Sequence, residues 1–208
     1  MVRQEPDGGL TVLADRFNGK RLNSPNDLVV ARDGAIWFTD PTYGLVQPEE
    51  GRQAAPELPG RYVFRLDPGG GLAVVADGFA QPNGLAFSPD ERVLYVSDTG
   101  GALNPEGTRE IRAFAVDGGR LTGERLFARL PSGVPDGLKT DADGRLYAAT
   151  DQGARVWAQD GTPLGLIATP ATCGNLAFGG PDGRRLYLCN GSSIHSIPLK
   201  VRGAAWRA

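Results

Sequence analysis

The stretch NDLVVARDGAIWFTD, from Asn26 to Asp40, holds two short apolar runs on either side of the pair Asp33-Gly34. Apolar runs of this length around an Asp-Gly pair are typical of a β-hairpin with a tight turn. The pattern returns three times, as NGLAFSPDERVLYVSD from Asn83, DGLKTDADGRLYAATD from Asp136 and NLAFGGPDGRRLYLCN from Asn175. The sequence therefore predicts four hairpins built on one repeated design.

Further strand candidates lie between the repeats. They are runs rich in apolar residues next to Gly-containing turns: Tyr62–Leu66, Leu72–Val75, Ile111–Val116 and Val156–Ala158. Each repeat thus accounts for about four strands in roughly 40–55 residues, which is the period of a β-propeller blade. We predict an all-β chain with β-propeller architecture and a single domain over residues 1–208. A β-sandwich is the alternative, but sandwiches do not usually repeat one phrase at near-constant spacing.

The composition supports a turn-rich fold and excludes several classes of function. Gly and Pro contribute 30 and 16 of the 208 residues, which disfavours long helices, while 40% hydrophobic residues are enough for a core. The formal net charge of −2 gives no basic surface for nucleic acid. The sequence contains no run of about 18 apolar residues, so it predicts no membrane-spanning helix. The N-terminal MVRQEPDGGL has no signal-peptide core, so we expect a cytoplasmic location.

The few histidine and cysteine residues limit the metal chemistry that the chain can offer. A single histidine argues against histidine-based metal sites and against a Ser-His-Asp triad. Cys173 and Cys189 have no second pair, so a zinc cluster is not expected. We expect two buried thiols, with one disulfide as the alternative.

The two ends of each repeat carry polar side chains. The first and last residues of an antiparallel hairpin meet at one edge of the sheet. The expected neighbours are therefore Asn26 with Asp40, Asn83 with Asp98, Asp136 with Asp151, and Asn175 with Asn190. If the blades are arranged radially with these hairpins innermost, all four edges face one mouth of the central channel. We therefore expect a ring of carboxylates and amides there.

Three of the repeats open with a proline followed by an oxygen-bearing side chain: Pro25-Asn26, Pro82-Asn83 and Pro135-Asp136. Asn offers a neutral carbonyl ligand and Asp a carboxylate. An all-oxygen set suits a hard cation, Ca²⁺ first and Mg²⁺ or Mn²⁺ next, whereas Zn²⁺ normally prefers His or Cys. We interpret Asn26, Asn83 and Asp136 as ligands of one divalent cation. For each position taken alone, the alternative is an Asn or Asp that caps a turn with its own backbone.

The repeats resemble the gluconolactonase and regucalcin family (SMP-30-like), which also contains phosphotriesterases similar to diisopropyl-fluorophosphatase. The resemblance covers essentially the whole chain. Five segments carry it: RLNSPNDLVV at 21–30, IWFTDPTYG at 36–44, QPNGLAFSPDERVLYVSDTG at 81–100, VPDGLKTDADGRLY at 134–147 and NLAFGGPDGRRLY at 175–187. It implies a six-bladed propeller with one divalent cation at the channel mouth, held by Glu, Asn and Asp side chains.

The resemblance also assigns roles to particular residues. Asn83 matches the family Asn in the PNG phrase, and Asp136 matches the Asp in the PDG phrase. Asn26 matches the Asn of the ND phrase, which contacts substrate, a metal-bound water or the metal itself. Ser24 and the loop around Tyr43 match positions near the substrate. Ca²⁺ is the first expectation for the metal, with Mg²⁺, Mn²⁺ or Zn²⁺ as alternatives.

One expected ligand has no match in this sequence. Family members begin with a blade that carries a Glu ligand in a phrase like EGP, whereas Glu5 precedes a hairpin turn and the strand candidate Leu10–Leu13. Four clear repeats also fall short of six blades. The chain therefore resembles a family member without roughly its first 80–90 residues, covering four to five blades. Because one protein carboxylate replaces two, we expect cation binding well below that of a complete member.

The leading functional hypothesis is metal-dependent hydrolysis of a sugar lactone, in which the cation polarises the carbonyl and water attacks it. Asp136 is the expected catalytic residue as well as a ligand, and Asp40 or Asp151 are the alternatives for taking up the proton. The expected partner is a small-molecule sugar lactone, without nucleic acid or membrane; the oligomeric state stays open. The alternatives are a phosphotriesterase at the same metal, a non-catalytic binding propeller and an inactive fragment.

Overall fold

The computed structural model describes residues 1–205 and divides into two compact units, Met1–Pro82 and Asn83–Ala208. The two helices among the described residues are short, namely α1 at Tyr43–Val46 and a 3-10 helix at Gly100–Ala102. In this part of the chain no helix has the length and apolar character that crossing a membrane requires. The strands found in residues 1–205 are β1 (Val2–Gln4), β2 (Leu10–Val12), β3 (Arg16–Phe17), β4 (Lys20–Arg21), β5 (Leu28–Val30), β6 (Ile36–Asp40), β7 (Tyr62–Leu66), β8 (Leu72–Ala76), β9 (Pro82–Phe87), β10 (Val93–Asp98), β11 (Glu110–Asp117), β12 (Arg120–Arg129), β13 (Leu138–Thr140), β14 (Leu146–Thr150), β15 (Gly153–Trp157), β16 (Pro163–Ala168), β17 (Cys173–Gly179), β18 (Arg185–Asn190) and β19 (Ser193–Pro198).

The first unit contains two small hairpins and one four-stranded sheet. β1 pairs with β2, β3 pairs with β4, and β5 to β8 follow one another across the sheet. Phe38 of β6 and Phe64 of β7 stack with ring centroids 5.2 Å apart, and Phe17 and Tyr62 meet Phe64 edge-on. Aromatic pairs of this kind add to the burial energy of the core. The cluster therefore fixes the sheet at whose edge Asn26 lies.

The second unit contains three sheets of consecutive strands. β9 to β12 and β13 to β16 form sheets of four, and β17 to β19 form a sheet of three. Consecutive strands in spatial order are the meander of a propeller blade. Buried side chains of the two four-stranded sheets share one cluster, which includes Tyr95, Ile111, Leu138, Leu146 and Trp157. This packing holds β9, which contains Asn83, close to β13, which begins two residues after Asp136.

The four predicted hairpins are confirmed. β5 and β6 pair with Leu28 opposite Phe38, and the pairs β9–β10, β13–β14 and β17–β18 repeat the arrangement. The intervening strand candidates become β7, β8, β11 and β15, with Ala158 just beyond β15. The all-β class and the blade-like sheets are therefore confirmed. The six-bladed type, the share of four to five blades and the single domain stay predictions.

The prediction of two buried thiols is wrong for one of them. Both cysteines are free, and Cys173 is buried whereas Cys189 is exposed. On β18 the side chains of Leu186 and Leu188 are buried, and alternation along a strand turns Cys189 to the opposite face. The prediction was the same for both thiols because the sequence did not show which face of its strand each cysteine takes, Cys173 on β17 and Cys189 on β18.

Candidate metal and substrate site

Asn83 is the second residue of β9, and its side chain is only 7% exposed. Its amide nitrogen donates a hydrogen bond to the hydroxyl of Thr99, 3.4 Å away, just beyond the end of β10. This contact confirms that Asn83 meets the closing end of its repeat. The oxygen and nitrogen of an amide point in different directions, so the bond to Thr99 also sets the direction of the amide oxygen. Asn83 thus carries a neutral amide oxygen whose orientation the bond to Thr99 helps to set.

Asp136 lies two residues before β13, at the open end of the β13–β14 hairpin. Its backbone N–H donates to the carbonyl of Ala149 at 2.8 Å, and the Ala149 N–H donates to the carbonyl of Gly137 at 2.9 Å. These two bonds continue the ladder beyond the strand itself. They confirm that Asp136 meets the closing end of its repeat, where Asp151 follows β14.

The backbones that carry Asn83 and Asp136 touch. Gly84 follows Asn83, and a Cβ built on Gly84 would overlap the Asp136 carbonyl oxygen and come within 2.8 Å of the Gly137 Cα. Only glycine permits two backbones to approach this closely. The structure therefore brings these two predicted ligands to the same end of neighbouring sheets.

Asn175 is a further polar residue at this end of the second unit, and the predicted ligand set left it out. A Cβ on Gly137 would overlap the side-chain oxygen of Asn175, and one on Gly174 would lie 3.7 Å from Oδ2 of Asp136. Asn175 is exposed, and its side-chain oxygen accepts a hydrogen bond from the Leu176 N–H at 2.8 Å. The signal was present in the sequence, because Asn175 opens the fourth repeat. It lacks the proline that marks the other three.

Asn26 lies in the first unit, two residues before β5. Its backbone N–H donates to the carbonyl of Thr39 at 2.9 Å, so it lies next to Asp40 as predicted. The residue is exposed. Its role as a ligand or substrate contact stays a prediction.

Ser24 and Tyr43, the two predicted substrate-binding residues, are tied into the same unit. The Ser24 hydroxyl donates to the carbonyl of Pro41 at 2.7 Å and accepts a hydrogen bond from the Gly44 N–H at 3.2 Å. Tyr43 begins helix α1 and is only 5% exposed. The Ser24 hydroxyl therefore holds the start of this helix, and the substrate roles of Ser24 and Tyr43 stay predictions.

Asp40 is an anchor inside the first unit. It has no exposed surface, its Oδ2 accepts a hydrogen bond from the Asn23 N–H at 2.8 Å, and its carbonyl accepts one from the Asn23 amide at 3.2 Å. Burial raises the pKa of Asp40 from 3.8 to about 6, and the backbone N–H groups of Asn23 and Ser24 offset part of that effect. Asp40 thus fixes the segment that leads into Ser24 and Asn26 while being shielded from solvent.

The carboxylates at the closing ends of the second and third repeats differ in accessibility. Asp98 has no exposed surface, and it accepts hydrogen bonds from the Thr108 hydroxyl at 2.8 Å and from the Arg112 guanidinium at 3.0 Å. Asp151 is exposed, and its carboxylate lies against Gly133, where a Cβ would overlap it. Of these two acidic residues, Asp151 is the one that water can reach.

Oxygen donors are what this end of the second unit offers to a metal. In residues 1–205 no group of three or more His, Cys, Asp and Glu side chains is placed to hold a metal ion. A cation beside Asp136 would therefore depend on one carboxylate together with amide oxygens, such as that of Asn83. This donor chemistry fits a hard cation better than Zn²⁺.

Comparison with known proteins assigns the chain to a family. A family model described as the SMP-30/gluconolactonase/LRE-like region matches residues 1–192. The chain belongs to the SMP-30/gluconolactonase/LRE-like family. The resemblance drawn from the repeats is thereby confirmed.

Relatives of this family match most of the chain. A solved gluconolactonase structure from Xanthomonas campestris is 47% identical with a TM-score of 0.88, over 95% of this chain and 64% of that one. The gluconolactonase of Zymomonas mobilis is 36% identical over 204 residues, which are 93% of this chain and 55% of that protein. A pentonolactonase of Haloferax volcanii is 30% identical over 200 residues, 90% of this chain and 65% of that protein. The chain thus spans between about half and two thirds of the length of these relatives.

Proposed function

We propose that the protein hydrolyses a sugar lactone at a divalent cation, Ca²⁺ first, held by Asn83 and Asp136. The observation that carries the proposal is the contact at Gly84, where the backbones that hold Asn83 and Asp136 meet. It supports a site shared by a neutral amide oxygen and a carboxylate. The lactone substrate is supported by the gluconolactonases and the pentonolactonase among the relatives. Asn26 is proposed as a further ligand or a substrate contact on the strength of its repeat alone.

The protein side chains have separate tasks in this proposal. A cation bound there would act as a Lewis acid on the lactone carbonyl while water attacks. Asp136 supplies the negative charge of the site, and a carboxylate that faces a cation is a weak base. Asp151 is exposed beside the closing end of the same repeat, so we assign to its carboxylate the proton released by the attacking water. That proton then passes to the ring oxygen as the bond between this oxygen and the carbonyl carbon breaks, which gives the open hydroxy acid. We assign to the side-chain amide nitrogen of Asn175, an exposed residue, a hydrogen bond to a sugar hydroxyl.

The fold proposal follows the family. We propose that the complete fold is a six-bladed propeller and that this chain covers four to five of its blades. A chain with four repeats that spans 64% of the Xanthomonas gluconolactonase is in keeping with about four blades of six. In this proposal Asp136 is the carboxylate that this chain supplies to the cation.

The decisive experiment is hydrolysis of D-glucono-1,5-lactone, followed by proton release in the presence of Ca²⁺ and then of EDTA. We expect activity that EDTA abolishes. Asp136→Asn keeps the shape of the side chain and removes its charge, so the activity should fall by about two orders of magnitude or more.

Asp143→Asn is the matched control for this measurement. Asp143 is an exposed aspartate in the turn of the same repeat, 2.9 Å from Arg145 and at the opposite end of the hairpin. Its variant should keep the activity within about twofold. Equal losses in both variants, or activity indifferent to EDTA, would contradict the metal site. If the protein hydrolyses none of several lactones but does hydrolyse a phosphotriester, phosphotriester hydrolysis would replace lactone hydrolysis as the proposed function.

A further inference from the structure

A buried hydroxyl lies between the two segments that carry the proposed ligands. Ser97 of β10 has no exposed surface. Its Oγ lies 3.2 Å from the carbonyl oxygen of Gly84 and 3.1 Å from the carbonyl oxygen of Asp136. Both distances are within hydrogen-bond range, and the hydroxyl has a single proton to share between the two acceptors.

The two carbonyls belong to the residue after Asn83 and to Asp136 itself. A donor between them ties β9, β10 and the start of β13 at one point. Without the Ser97 hydroxyl, the two carbonyl oxygens would lose a donor that they share at a buried position, and losing a buried hydrogen bond is costly. The backbones touch there at Gly84, so relaxation would change the distance between the Asn83 and Asp136 side chains.

We propose that Ser97 is a positioning residue for the cation site, whose hydroxyl holds the Asn83 and Asp136 segments at the spacing that a shared cation needs. The inference rests on the proposed function, because it assumes that both side chains bind one cation. In this proposal Ser97 differs from a residue whose hydroxyl only joins two sheets. Thr140 makes such a link further along, where its hydroxyl donates to the carbonyl of Phe87 at 2.6 Å.

The test is Ca²⁺ affinity by titration calorimetry, with unfolding temperature as the second readout. Partners that orient a metal ligand typically contribute 10- to 100-fold to metal affinity, so we expect Ser97→Ala to weaken Ca²⁺ binding about tenfold or more. Thr140→Val is the matched control, because it removes a buried hydroxyl that links the same two strands. It should bind Ca²⁺ within about twofold of wild type, even where its unfolding temperature falls.

A second pair of variants guards against a folding defect in the alanine variant. Ser97→Thr and Ser97→Val add the same bulk at this position and differ in the hydroxyl, so the threonine variant should bind Ca²⁺ about tenfold more tightly than the valine variant. If the Ca²⁺ affinity is equal in wild type and Ser97→Ala, or is lowered equally by Ser97→Ala and Thr140→Val, the positioning role of Ser97 is wrong while the proposed function stands. A wild-type chain that binds no Ca²⁺ and hydrolyses no lactone would overturn the proposed function, and this inference with it.

Discussion

At the scale of single residues, the buried carboxylate of Asp40 makes the stability of the first unit depend on pH. Burial raises its pKa from 3.8 to about 6, so the folded chain holds this proton more tightly than the unfolded chain does. The stability that this group contributes is fully present below about pH 4 and is lost as the pH rises through 6. The free energy of unfolding falls by at most about 3 kcal/mol over this range. Asp40→Asn keeps an acceptor for the Asn23 N–H and carries no charge at any pH. We expect the variant to match wild type near pH 4 and to exceed its free energy of unfolding at pH 8, as measured by urea unfolding.

The comparison variant for Asp40 is Asp33→Asn in the turn between β5 and β6. Asp33 is mostly exposed, and the Ala35 N–H together with Arg65 lowers its pKa. Its contribution to stability therefore has the opposite pH dependence. The contribution is present above the pKa of the unfolded state and is lost as the pH falls through the pKa of the folded state. The Asp33 variant should lose stability at pH 8. An Asp40→Asn variant that parallels wild type from pH 4 to pH 8 would show that burial does not hold the proton on Asp40.

At the scale of the strand, the close approach of β9 to the start of β13 is open to a direct test. Gly84→Ala places a methyl group where it overlaps the Asp136 carbonyl oxygen, so one of the two backbones must move. Overpacking of this kind costs typically about 1–3 kcal/mol. We expect a lower unfolding temperature in a thermal melt, and weaker Ca²⁺ binding because Asn83 and Asp136 move apart.

Gly69→Ala is the control for the glycine contact. Gly69 lies in the turn between β7 and β8, and a Cβ there meets no atom within 4 Å. Its unfolding temperature and its Ca²⁺ affinity should stay close to those of wild type. If Gly84→Ala behaves like Gly69→Ala, then the backbones of β9 and of the segment before β13 do not touch at Gly84.

The strands differ in how well their sequences predict them, and burial explains the difference. In the second and third repeats, the first two strands bury most of their side chains around a strong turn signal, as β13 and β14 do around Asp143-Gly144. The outer strands β12, β16 and β19 are largely exposed, so they carry little hydrophobic pattern. Their positions follow from hydrogen bonding to a neighbouring strand, which the sequence does not display.

The same reasoning applies to the candidate site. Asn83 and Asp136 were found because a proline precedes each of them in a repeated phrase. Asn175 lacks the proline and was left out, although its side chain lies against Gly137. Ser97 carries no sequence signal, because its two carbonyl contacts join segments that are far apart in the chain. Contacts between sheets depend on packing, and a local pattern does not encode them.

At the scale of the whole molecule, cation binding should couple to folding. An ion that binds the folded chain and not the unfolded one stabilises it by about 2.7 kcal/mol at a concentration of 100 times Kd. The proposed site has one carboxylate from this chain, Asp136, so we expect the gain to require Ca²⁺ well above the micromolar range. Unfolding temperatures measured from about 0.1 μM to 10 mM Ca²⁺ should rise with log concentration in wild type, mainly above the micromolar range, and stay flat in Asp136→Asn. A rise that is complete below micromolar Ca²⁺ would contradict the single-carboxylate site, and an equal rise in Asp136→Asn would place the bound ion elsewhere in the chain.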